Sequence, residues 1–154
     1  MDAAIFDCPM EWVRLLPPGT RRVPLAEELP QHIWPLLALT AEGCQTLREH
    51  NGGRVVCRLL LAPGDVQVLP NQILAETVIS YGLSPRDSLT LSSLTRPVLC
   101  VQRALPRLDG TSVDAQEFPL PPLPGPPEAL LPLLGLWLLQ IPLTETGFHD
   151  MLTP

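Results

Sequence analysis

The chain has 154 residues, of which 45% are hydrophobic and 17% charged, with a formal net charge of −6. That apolar content supplies a core and excludes wholesale disorder, while the acidic balance argues against a nucleic-acid binder, which needs basic surface to displace counterions from phosphate. All ten basic residues are arginine, which excludes a lysine Schiff base and a Gly-Lys-Ser/Thr phosphate loop.

In chain order, residues 1–7 have neither a basic start nor a long apolar run, so they do not read as a secretory signal. The expected location is cytoplasmic, with reduced thiols. Trp12, Val13, Leu15 and Leu16 form a short apolar segment that stops at Pro17-Pro18-Gly19, and a second one spans Ile33 to Leu39, interrupted by Pro35. Thr40 is placed to cap a helix with Glu42 in its first turn and Arg48 and His50 in its last, ended by Asn51-Gly52-Gly53. Arg54 to Ala62 and Asp65 to Leu69, separated by Pro63-Gly64, read as a β-hairpin. Ile73, Leu74, Val78 and Tyr81 then recur at helical spacing up to Gly82; a loop with one helical turn fits equally well.

After Ser84-Pro85 the chain returns to strand. Pro97 to Leu105 and Ser112 to Phe118 flank Asp109-Gly110, a strong hairpin turn because glycine accepts positive φ without steric cost. Half of the residues from Pro119 to Pro132 are proline, which makes 119–132 a stiff connection inside a single domain, 1–154. Ala129 to Leu143 is the most apolar stretch; at fifteen residues it falls short of the roughly 20 a bilayer span needs and reads as a buried helix. The expected fold is α+β, an antiparallel sheet with helices packed at one face or end. Cys8, Cys44, Cys57 and Cys100 lie far apart and offer no paired zinc ligands, His32, His50 and His149 are isolated, and no Gly-x-Ser-x-Gly is present, so neither a metal site nor a serine hydrolase is expected.

Several segments resemble the chorismate pyruvate-lyase (4-hydroxybenzoate synthase) family, which shares its fold with UTRA effector-binding domains. Ile33-Trp34-Pro35-Leu36-Leu37 is similar to the family's early Trp-Leu-Leu segment, and Leu47 to Arg58 to its helix, turn and first long strand. Glu76 with Gly82-Leu83 resembles its Glu and Leu-Gly-Leu stretch. Gln102-Arg103-Ala104-Leu105 followed by Asp109-Gly110 resembles its Arg-Glu-Val-x-Leu strand and hairpin, and Phe118-Pro119-Leu120-Pro121 the end of its next strand. The likeness covers roughly residues 30–120 in short motifs.

The resemblance implies a cofactor-free carbon–oxygen lyase that eliminates pyruvate from chorismate, giving 4-hydroxybenzoate for ubiquinone biosynthesis. Chorismate is a dianion, and arginine suits its carboxylates because the planar fork makes two parallel hydrogen bonds. The family's first functional arginine would fall at Gln102 or, with a one-residue shift, at Arg103. The second would fall in Asp114-Ala115-Gln116-Glu117-Phe118, which contains no arginine, so Arg58 or Arg107 would have to substitute. Leu143-Thr144-Glu145 resembles the family's acidic C-terminal strand and makes Glu145 the candidate catalytic acid; an alternative alignment puts Leu134 to Phe148 on an earlier helix and leaves that strand missing. Duller readings stand beside these: Arg103 as a half-exposed strand residue, Glu145 as a solvated carboxylate, Cys57 and Cys100 as inert core thiols. The alternative function is a catalytically inactive module on the same fold, sensing a small carboxylated or aromatic ligand or docking a protein partner through the apolar 129–143 segment. Neither nucleic acid nor a transmembrane span is expected.

Overall fold

A computed structural model describes residues 3–50, 52–64, 72–140 and 148. Its frame is one eight-stranded sheet. Along the chain lie β1 (Ala3–Phe6), β2 (Thr20–Val23), β3 (Ile33–Leu39), α1 (Ala41–Glu49), β4 (Val55–Pro63), β5 (Ile73–Tyr81), β6 (Leu89–Leu91) and β7 (Val98–Val101). A short pair, β8 (Leu105–Pro106) and β9 (Ser112–Val113), precedes β10 (Gln116–Pro119) and α2 (Leu131–Gln140). Across the sheet the order is β2-β1-β3-β4-β5-β6-β7-β10, with β8 and β9 forming a separate small sheet.

The α+β class expected from the sequence is the class of the structure, but the strand directions are mixed. Every pair from β2 across to β6 is parallel, while β6–β7 and β7–β10 run antiparallel, as do β8 and β9 in their separate sheet. The expected hairpin after β4 is therefore corrected. Parallel β3 occupies one edge of β4 and parallel β5 the other, and the Asp65–Leu69 run lies outside the described residues. The near-continuous apolar run of β4 fits this position, because strands of parallel sheets are covered on both faces. The helical spacing of Ile73 to Tyr81 is corrected too: those residues form β5. Exposure there alternates with period two, and two of the four apolar positions that suggested a helix, Leu74 and Val78, point outward at 56% and 48% exposure.

The two helices cover opposite faces instead of one. Neighbouring residues Ile5 and Phe6 of β1 point to opposite sides of the sheet. Ile5 packs in one core with Leu36, Leu61 and all of the buried apolar residues of α2; Phe6 packs in the other with Leu37, Leu60 and Cys44 and Leu47 of α1. The alternation loses phase at Pro35, since Trp34 and Leu36 are two positions apart yet belong to different cores, as do Cys57 and Leu59 on β4. Pro35, Arg58 and Glu76 are the row the ladders skip, and proline has no N–H to give it.

Local signals held where they were strong. Thr40 caps α1, its hydroxyl accepting from the Gly43 amide at 2.9 Å. The other end differs from expectation: the positive-φ glycines among the described residues are Gly19, Gly82 and Gly110, not Gly52 or Gly53, and the carboxamide of Gln72 donates to the carbonyls of Leu47 and His50. Asp109-Gly110 does turn the chain between β8 and β9, with Gly110 at φ 88° and the Asp109 carboxylate accepting from the amide and hydroxyl of Thr111. Those bonds hold the Asp109 carboxyl below the usual range. Ala3–Phe6 carries no predicted element in the sequence, yet it is a fully buried strand between β2 and β3.

Candidate functional site

In parallel sheets, ligands bind beyond the carboxyl ends of the strands, where neighbouring connections leave in opposite directions. Here β1 leads to β2 on one side while β3 leads through α1 to β4 on the other, so that point lies between β1 and β3. Two adjoining clefts, of about 410 and 270 Å³, open at this end of the sheet and share Ala41, Tyr81 and Glu128. The larger runs over the ends of β4 and β5 and is lined by Gly64, Gly82, Leu83, Asp87 and Leu131 among others; the smaller reaches Trp12, Thr40 and Glu42.

The strand ends are tied together by side chains. Tyr81 donates its hydroxyl to the carbonyl of Leu39 at 2.7 Å, reaching from β5 past β4 to β3. Asp7, just beyond β1, has φ 58°, a left-handed conformation that asparagine and aspartate tolerate better than other side chains. Its amide donates to Val23 and its carbonyl accepts from the Thr40 hydroxyl, which ties β1 to β2 and to the start of α1.

Asp87 is the buried acid of the larger cleft, only 4% exposed. Its Oδ2 accepts from the Ser84 amide at 3.1 Å, closing a tight turn in which the Asp87 amide donates back to the Ser84 carbonyl. Gly64 and Gly82 make this seat: a Cβ at either position would overlap the Asp87 carboxylate. Gln102 fastens the same turn, its carboxamide donating to the carbonyls of Pro85 and Asp87, each at 3.0 Å.

The residues singled out in the sequence lie elsewhere. Arg103 is exposed and donates to the Arg86 carbonyl at 2.7 Å, so it braces the turn that carries Asp87 without lining the cleft. Arg58 sits midway along β4 in an exposed ion pair with Glu76 at 3.9 Å. Arg107 is buried and donates from Nε to the Leu138 carbonyl at 3.1 Å, holding the end of α2. Arg58 and Arg103 are not brought together. β5 and β6 separate their strands, a spacing of roughly 14 Å, and Arg103 lies beyond Val101, which is level with Tyr81, five positions past Glu76. Glu145 lies outside the described residues.

The apolar 129–143 segment, expected as a docking surface, is internal over most of its described part: Leu130 to Leu139 are buried and fill the core, while Ala129 is exposed and Gln140 half-buried. No described helix is long and apolar enough to cross a membrane. Among the described residues no three His, Cys, Asp or Glu side chains gather as metal ligands. Burial pushes the Cys57 thiol up to about 11, and also raises Cys8 despite the neighbouring Arg22, so neither is poised as a nucleophile. Asp87 was missed in the sequence. The available signal was a glycine at the end of each of two strand-like runs, Gly64 and Gly82, followed by Ser84-Pro85-Arg86-Asp87; Pro63-Gly64 reads more naturally as a hairpin turn.

Comparisons with protein-family models, with curated proteins and with solved structures find no match.

Proposed function

We propose that this chain is a small-ligand-binding module whose site is the cleft at the carboxyl ends of β3, β4 and β5. The observation that carries the reading is the character of that cleft. It is a concave space of about 410 Å³, within the range of small-molecule sites, with apolar walls from Leu83, Leu131 and Tyr81 and a few convergent polar groups.

The chorismate-lyase reading is less well supported. Among the described residues no arginine lines either cleft, while Asp87, Glu128 and Glu42 do. A dianion would meet like charge there, which disfavours its binding. The four cysteines carry no disulfide, which fits a reducing compartment such as the cytoplasm.

The test is twofold. Purified protein is incubated with chorismate while pyruvate and 4-hydroxybenzoate are followed; no product is expected, and turnover would overturn the reading. Saturation-transfer NMR with a panel of single-ring amines, alcohols and acids is expected to give at least one binder that Leu83→Trp, which adds bulk to the cleft wall from an exposed position, weakens or abolishes. A panel with no binder removes the proposal.

A further inference from the structure

The cleft contains a carboxylate whose surroundings specify a class of ligand. Asp87 is 96% removed from solvent, yet only one of its oxygens is hydrogen-bonded within the described residues, Oδ2 from the Ser84 amide. Among the described residues no side-chain oxygen fully sealed from solvent lacks a partner, so the unbonded Oδ1 keeps a little exposed surface, on a residue that lines the cleft. A carboxylate this deep is costly to hold without a partner of opposite charge or a set of donors. The fold is nevertheless shaped around it, because the glycines at positions 64 and 82 leave room for the carboxylate that any Cβ would take. Glu128, exposed, stands in the wall of both clefts and adds a second negative charge. The remaining walls are largely apolar, from Pro63, Tyr81, Leu83 and Leu131.

Resting on the binding-module reading, we propose that the cleft takes an organic cation: an ammonium or amidinium group on a compact apolar body. The cationic head donates to Oδ1 of Asp87 at the floor, the body lies against Tyr81, Leu83 and Leu131, and Glu128 attracts the charge from the wall. A bare divalent ion suits the site less, since it requires about six to eight oxygen ligands and most of this lining is hydrocarbon. An anion has no arginine to meet among the described lining residues.

The experiment uses three probes of one size, benzylamine, benzyl alcohol and benzoate, titrated into the full chain by ligand-observed NMR. Benzylamine is expected to bind about tenfold more tightly than benzyl alcohol, the worth of one charge-assisted hydrogen bond, with benzoate weakest. Asp87→Asn keeps an acceptor for the Ser84 amide while removing the charge, and should bring benzylamine to the level of the alcohol. Glu128→Gln, an isosteric change at an exposed position, should weaken benzylamine about two- to threefold and leave benzyl alcohol unchanged. If Asp87→Asn does not fold, Glu128→Gln carries the test by itself, and an unchanged preference for the amine would then overturn the proposal. Benzyl alcohol or benzoate binding as well as benzylamine overturns the cation assignment alone. Failure of all three probes overturns the binding reading with it.

Discussion

α1 and α2 lie against opposite faces of one sheet and are nearly equal in length, nine residues and ten, but they are held there differently. α1 is a surface helix: Gly43, Cys44 and Leu47 meet the strands and the other positions face water. α2 is buried on all sides, from Leu131 to Leu139. Trp12, Leu15 and Leu16 from the N-terminal part and Leu120 and Leu123 from the proline-rich connection pack into the same core. Its polar ties are correspondingly deep, with the Arg107 guanidinium on the Leu138 carbonyl and the Trp137 indole on the Leu15 carbonyl. A helix that is apolar all round needs cover on every side. α2 is therefore covered on its outer side as well as on the side that meets the sheet, whereas the outer side of α1 faces water.

This contrast is best broken by removing buried volume. Leu134→Ala in α2 should lower unfolding free energy by about 3–5 kcal/mol, and Leu47→Ala in α1 by about 2–3 kcal/mol, both measured by urea titration. Equal losses would mean that α2 is no more deeply anchored than α1. Gly135→Val tests the closeness of α2 to the sheet, because an added side chain would push into Leu61 and Leu89; about 2–3 kcal/mol should be lost.

Smaller effects sharpen the picture of the α1 side. Cys57 lies in that core with its thiol raised by burial from 9.0 to about 11. Because the unfolded chain ionises first, stability contributed by the protonated thiol is intact below about pH 9 and lost as pH rises toward about 11. A urea series across that window should show wild type declining more steeply than Cys57→Ala, and parallel curves would mean that the core there is wet. Thr40→Ala, which removes the cap of α1, should cost about 1 kcal/mol. Arg58→Ala should stay within about 0.5 kcal/mol, since its partner Glu76 is exposed and the ion pair is long.

What could be read from the sequence follows the range of the forces involved. α1 was legible because a cap, a first-turn acid and a last-turn base are local. The Asp109-Gly110 turn and the buried character of α2 were legible for the same reason. Strand direction was not, since whether β4 meets β5 in parallel depends on partners far away, and Ile73 to Tyr81 carries apolar residues at both helical and alternating spacings. The site was less legible still. Arg103 was singled out as a ligand group and proves to be a brace, holding the Arg86 carbonyl beside the aspartate it supports. Asp87 itself acquires meaning only when Gly64 and Gly82, eighteen positions apart, are brought to the same carboxylate.

The Trp137–Leu15 bond joins residues 122 positions apart, and the Gln140 carboxamide reaches the Thr20 hydroxyl across 120. During synthesis the β1–β5 portion leaves the ribosome well before α2 exists. At about 5–20 residues per second, the interval from Leu15 to Trp137 is on the order of ten seconds. Within it, Ile5, Leu36, Leu61 and Ile79, once made, lack the helix that covers them in the folded protein. The nascent chain should therefore be a client for chaperones until α2 emerges. Protease digestion of ribosome-stalled chains that end before Leu131 or expose all of α2 would reveal the change, with resistance expected only in the longer set.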